Sequence, residues 1–180
     1  MITLGIDPGS RLLGYGLVRS AKGGVRTFVD AGVLKLASTD NHLQRLAEIY
    51  RFMLELLEQH APDVCAIEMP VYATDPQAVL KLGRVQAACM LAALHREVPV
   101  TEYTPKEVKR AVTGNGNASK EQVRYMVEQT LGITLTDTLS LDTSDALGVA
   151  LCHSQKGLQG LAGGSKNWAA FVRDNPERIK

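Results

Sequence analysis

Between a helix-periodic segment ending at His60 and another beginning at Pro76 lies the run Val64-Cys65-Ala66-Ile67, apolar at every position and closed by Glu68. A strand without alternation is covered on both faces, so this run predicts the centre of a sheet with helices on either side. The neighbouring segments agree. From Asp40 to His60 the residues Leu43, Leu46, Ala47, Tyr50, Met53, Leu54 and Leu57 recur at steps of three and four, which predicts an amphipathic helix. Upstream, the β-type stretches 2–6, 15–18 and 25–36 are separated by Pro8-Gly9 and Gly23-Gly24 and predict three antiparallel strands. Downstream, the segment 76–95 reads as a helix with apolar side chains almost all round, from Val79 and Leu80 to Leu91 and Leu94, so two faces need burial.

The remaining elements follow from capping chemistry. A strand over 98–103 runs into Thr104-Pro105-Lys106-Glu107, an N-cap, a first-turn proline and a capping-box glutamate, for a helix that stops near Gly114. Ser119 with Gln122 opens a second capped helix through Leu131, and a last helix spans Asp142 to about Leu161. The pattern predicts an α/β domain over residues 1–162. Residues 163–180, with Lys166, Arg173, Arg178 and Lys180 and little periodicity, predict a basic tail without a fixed place.

Several function classes drop out early. The formal net charge of +1, from 20 basic and 19 acidic residues, excludes a uniformly basic nucleic-acid coat but not a local patch. Cys65, Cys89 and Cys152 sit in apolar surroundings without CxxC or Cys/His spacing, so they read as core residues and not as zinc ligands or disulfides. No segment has the length and continuity of a membrane span or the flanks of a signal peptide, which predicts a soluble, cytoplasmic protein.

The chemistry lies in carboxylates. The first strand ends on Asp7 and the central one on Glu68, while Asp142-Thr143-Ser144-Asp145 places two more on one face of a helix start. Each alone has a structural reading: Asp7-Pro8-Gly9 is a good turn, and Asp142 is a good N-cap. Together they read differently. If the first and fourth strands are parallel neighbours, both strand-end carboxylates emerge at the edge where ligands bind in such sheets. If the last helix crosses there, four negative charges meet, and a hard divalent cation is their natural partner. Two such ions would activate a water and stabilise a leaving phosphate-ester oxygen.

The segments GIDPGS with Gly14-Tyr15-Gly16, AIE ending at Glu68, LKLGR from Leu80 and DTSDALGVALCH from Asp142 together resemble the RuvC family of Holliday junction resolvases, in order and spacing, over roughly residues 2–155. The resemblance implies a ribonuclease H-like fold, with a mixed five-stranded sheet flanked by helices. It also implies a homodimer that nicks two opposing strands of a four-way DNA junction symmetrically with Mg²⁺ or Mn²⁺, two ions per site, leaving 5′-phosphate and 3′-hydroxyl ends. By motif position Asp7, Glu68, Asp142 and Asp145 correspond to the family's metal-binding catalytic carboxylates. Lys109 and Lys120 match lysines near the scissile phosphate, with Lys120 the better candidate for stabilising developing charge. Lys81 and Arg84 are expected on the DNA side of the 76–95 helix, whose second apolar face is expected at the dimer interface. Several members of the family carry an aromatic residue three positions after the glutamate; this chain has Val71 there, and Tyr72 is the expected substitute for stacking at the junction. RuvA and RuvB branch-migration proteins are the partners implied.

Two other readings stay open at this level. Another ribonuclease H-like structure-selective nuclease would use the same carboxylates, and a non-catalytic junction-binding protein would have less need of all four. An actin-like ATPase needs a second domain for which the chain has no room, and Gly114 to Lys120 lacks the glycine that precedes the lysine in a phosphate-binding Walker loop.

Overall fold

A computed structural model of the chain describes residues 1–37, 41–70, 75–135 and 140–162. Its elements, in chain order, are β1 (Ile2–Asp7), β2 (Leu12–Ser20), β3 (Arg26–Lys35), α1 (His42–His60), β4 (Val64–Glu68), α2 (Pro76–His95), β5 (Val100–Tyr103), α3 (Pro105–Thr113), α4 (Lys120–Leu131) and α5 (Ser140–Ala162). The strands form one five-stranded sheet in the order β3-β2-β1-β4-β5. β1 pairs antiparallel with β2 and parallel with β4, and β4 pairs parallel with β5. The expected mixed sheet is therefore present, with β4 between two parallel neighbours.

The alternation of side chains along a strand divides the core in two. Leu4 and Ile6 of β1, with Cys65 and Ile67 of β4, pack against Ile49 and Met53 of α1 and Val85 and Cys89 of α2. Ala66 of β4 faces the opposite side, with Val108 of α3 and Val149 of α5. Val18, Val123, Val127, Leu147 and Leu151 extend that second layer between β2, α4 and α5. The three cysteines are free and buried, as expected of core residues.

Local chemistry accounts for the helix starts. The Asn41 side chain accepts from the Gln44 amide while the Gln44 side chain accepts from the Asn41 amide, closing a capping box at α1. Thr104 with Glu107 and Ser119 with Gln122 do the same at α3 and α4. Two expectations need adjusting. α5 begins at Ser140, so Asp142 lies inside its first turn and is not its N-cap. β5 begins at Val100 and not at 98, because Glu97 takes a positive φ of 57° and Pro99 has no amide to give a ladder. In α2, Val85, Cys89, Ala92 and Ala93 are buried, whereas Leu80, Leu91 and Leu94 stand 63%, 60% and 57% exposed, so one apolar face packs and the other is uncovered within this chain. The basic segment 163–180 lies outside the described residues.

Candidate active site

Asp7 and Glu68 are the last residues of parallel, adjacent strands, one register step beyond the Ile6 and Ile67 pair, and so emerge at the same edge. Strand alternation sends both to the side of the sheet opposite Ile6 and Ile67. That side is crossed by α5. The helix lies unusually close to the sheet because β1 and β2 present glycine beneath it. A Cβ on Gly5 would run into the Ala146 carbonyl and stand 2.6 Å from the Ala150 nitrogen, and one on Gly14 would stand 2.5 Å from the Asp142 carbonyl oxygen. The first turns of α5 are thereby pressed against the strand that carries Asp7. Gly14 is the register partner of Asp7 itself.

The resulting electrostatics show which groups were brought together. Burial and the negative charges of Asp145 and Asp142 raise the Asp7 carboxyl to about 7, against the opposing influence of Lys120. Glu68 is raised to about 8 by burial and by Asp7 and Asp145, with Lys120 and Lys109 opposing. Asp145 is also raised, chiefly by burial and despite the hydrogen bond from Lys120. The Lys120 Nζ donates to Asp145 Oδ2 at 2.5 Å, and this bond and the carboxylates around it overcome the effect of burial and hold the ammonium above its usual value. Lys120 keeps 55% of its side-chain surface while Asp145 keeps 15%, so the cation covers the acid and still meets solvent.

The four predicted carboxylates and both predicted lysines therefore share one electrostatic neighbourhood at one end of the sheet. Lys81 and Arg84 do not act on it. They lie exposed on α2, on the other side of the sheet, and their charges fall on His42. Tyr72 and Val71 lie outside the described residues. Two features had gone unread in the sequence. Gly5 and Gly14 set the height of α5, and the signal was glycine inside a strand. Arg45 of α1 donates from Nη1 to the Ser10 carbonyl at 3.1 Å and braces the turn that leaves Asp7.

The edge has a further brace on its β5 side. The Met69 amide donates to the Tyr103 carbonyl at 2.8 Å, continuing the β4 pairing past Glu68. The Tyr103 hydroxyl and His153 Nδ1 of α5 are 2.8 Å apart. Burial pushes the His153 imidazole below its ordinary value.

All four donor side chains are hard carboxylates, with no thiolate or imidazole in the set, which suits a small divalent cation. As placed, no three Asp, Glu, His or Cys side chains among the described residues are grouped to enclose a metal ion. Asp145 is turned onto Lys120 instead.

A mixed five-stranded sheet in this order, with acids at the ends of β1 and β4 and on the helix that crosses them, defines the ribonuclease H-like class of nucleases and resolvases. Within it, the chain belongs to the family of the crossover junction endodeoxyribonuclease RuvC, whose profile matches residues 3–153. The crossover junction endodeoxyribonuclease RuvC of Salinibacter ruber is 51% identical over 179 residues, covering 99% of each chain. The structure of Thermus thermophilus RuvC superposes with a TM-score of 0.80 at 32% identity, over 89% of this chain and 97% of that one. The same protein in complex with a Holliday junction substrate gives 0.79 at 29% identity, with the same coverage. The chain is accordingly an endonuclease of this family.

Proposed function

We propose that this chain resolves four-way DNA junctions by hydrolysing a phosphodiester in each of two opposing strands, with Asp7, Glu68, Asp142 and Asp145 as its metal-holding catalytic carboxylates. The observation that carries the reading is the meeting of these acids with Lys120 at one sheet edge. Membership of the family and the junction-bound Thermus thermophilus structure support the substrate.

The residues divide the work by position. Asp7 and Glu68 come from rigid strand ends, so they hold their oxygens in fixed places, whereas Asp145 is on a helix and is bonded to a lysine it can exchange. Two Mg²⁺ or Mn²⁺ ions would supply Lewis acidity, lowering the pKa of a water and neutralising charge on the leaving oxygen. Holding them requires the carboxylates to close inward and to lose the protons that burial and mutual repulsion favour. Lys120, released from Asp145, would oppose the negative charge that develops on the scissile phosphate. Lys109 contacts the backbone beside it. The nicks carry 5′-phosphate and 3′-hydroxyl ends.

A symmetric substrate calls for a symmetric enzyme. The uncovered stripe Leu80, Leu91 and Leu94 on α2 supports a homodimer through that helix, which would set the spacing of two active sites. Family membership supports work alongside RuvA and RuvB in recombination and repair, in the cytoplasm, and Tyr72 is retained as the residue that stacks at the crossover. Among the described residues no helix is long and apolar enough to cross a membrane.

The decisive experiment maps cuts on a labelled four-way junction and on linear duplex of equal sequence, with Mg²⁺, Mn²⁺ or chelator. Paired, metal-dependent nicks near the crossover are expected on the junction alone, and equal cleavage of both substrates rejects the reading. The Asp7→Asn protein is expected to bind the junction and cut it at least about a hundredfold more slowly.

A further inference from the structure

The glycine seat sets how close α5 comes to the sheet, but contact between apolar surfaces has no direction and does not by itself fix the rotation of a helix. Rotation matters here. Asp142 and Asp145 stand on α5 while Asp7 and Glu68 stand on strands, and a turn of about 10° moves a carboxylate held about 6 Å from a helix axis by about 1 Å. Two consecutive residues of α5 carry directional bonds. The Tyr103 hydroxyl and His153 Nδ1 stand 2.8 Å apart, and Arg26 Nε donates to Ser154 Oγ at 2.9 Å. Tyr103 ends β5 and Arg26 opens β3, the two edge strands of the sheet, so neighbouring positions on α5 are tied to opposite edges. Tyr103 and Ser154 are both buried, so water competes little for either bond. Tyr103 is also the register partner of Glu68, and its carbonyl accepts from the Met69 amide. One residue thus holds α5 and the strand end that carries Glu68. Lys156 lies over the Tyr103 ring and pairs with Glu107 at 2.8 Å, but that pair is half-exposed and adds little.

We propose that Tyr103 with His153, and Arg26 with Ser154, are positioning residues for the cleavage reaction: the two ties fix the rotation of α5 and so the place of Asp142 and Asp145 against Asp7 and Glu68. They act at a distance, since His153 lies eight residues beyond Asp145, about 12 Å along the helix. A helix held on one side pivots about that bond, whereas ties to both edges oppose each other's rotation. A misplacement of about 1 Å in a catalytic group can cost about a hundredfold in rate. The consequence falls on metal holding and on the chemical step. DNA binding is spared, because its expected cations, Lys109 and Lys120, are carried by α3 and α4 and not by α5.

This inference rests on the reading of the four acids as the metal site, and its test separates the two. Mn²⁺ binding to the full chain is followed by loss of the free-ion electron paramagnetic resonance signal, single-turnover cleavage of a labelled four-way junction is timed at saturating Mn²⁺, and junction affinity is measured in chelator. Tyr103→Phe removes one oxygen and keeps the packing. It and His153→Leu are each expected to weaken Mn²⁺ binding and to slow cleavage by about tenfold, with junction affinity unchanged. The double variant should be no worse than either single one, because the two residues share one bond. His153→Asn returns a polar atom near the place of Nδ1 and is expected to recover both losses. Ser154→Ala breaks the other tie, and joined to Tyr103→Phe it should cost more than either alone. A bond that is merely structural would lower Tm and leave Mn²⁺ affinity alone. Wild-type Mn²⁺ affinity and rate in Tyr103→Phe, or a His153→Asn chain no better than His153→Leu, therefore overturns the positioning role. Asp145→Asn, carried in parallel, is expected to weaken Mn²⁺ binding. If it does not, the reading of the acids fails and the positioning role with it; if it does while Tyr103→Phe binds Mn²⁺ normally, the positioning role alone fails.

Discussion

At the scale of single residues, burial and mutual repulsion give Asp7 and Glu68 an affinity for protons that a bound cation would oppose. Asp7 and Glu68 are raised from 3.8 and 4.5 to about 7 and about 8, so between those limits the folded chain binds more protons than the unfolded one. Stability must then fall as pH rises through that window, the reverse of an ion-paired carboxylate. Thermal unfolding in chelator is expected to show a Tm that declines from about pH 5 to about pH 8 on account of this site. Asp7→Asn or Glu68→Gln should flatten that decline, and Mg²⁺ or Mn²⁺ should raise Tm more at pH 8 than at pH 6, because ions and protons compete. A slope identical in wild type and in both variants would mean that the two acids are not coupled to folding in this way. Lys120 belongs to the same balance: its bond to Asp145 is the partial neutralisation the chain can provide by itself.

At the scale of elements, the position of α5 decides whether the acids meet, and that position depends on missing side chains. Gly5→Ala puts a methyl group against the backbone of Ala146 and Ala150, which cannot rotate away. The expected cost is about 1–3 kcal/mol in denaturant unfolding, with cleavage lost out of proportion to stability because Asp142 and Asp145 move with the helix. An Ala variant with full activity would show that α5 can shift without the site noticing. The second element with a consequence is α2. Leu91→Asp places a charge in the uncovered stripe while Val85 and Cys89 hold the inner face, so the chain should fold, run as a monomer in light scattering and lose paired nicking. A dimer unaffected by Leu91→Asp would move the interface elsewhere. The helix starts, in contrast, needed no tertiary context: the capping boxes at Thr104 and Ser119 close within four residues and were readable as strings.

For the molecule as a whole, symmetry is the property to test. Dimers formed by mixing wild-type chain with an excess of Asp7→Asn chain are expected to bind the junction and to nick one strand, so that linear products fall while nicked circles or single cuts accumulate on a cruciform plasmid. Unchanged paired cleavage in the mixture would argue against one active site per subunit. Strand and helix order, the capped starts of α3 and α4, and the strand-end positions of Asp7 and Glu68 were all legible in the chain, because apolar period, capping residues and strand-end charges are local signals. The resemblance to the RuvC family was legible for the same reason, as four short motifs in register. What was not legible was anything that depends on two elements approaching: the glycine seat beneath α5 and the lysine turned onto Asp145. The amino-acid sequence alone determined which acids, lysines and elements this protein has. Tertiary structure alone decided that Asp7, Glu68 and Asp145 share one field with Lys120, because the distance between residues far apart in the chain is set by packing and register, and charge interactions depend on that distance.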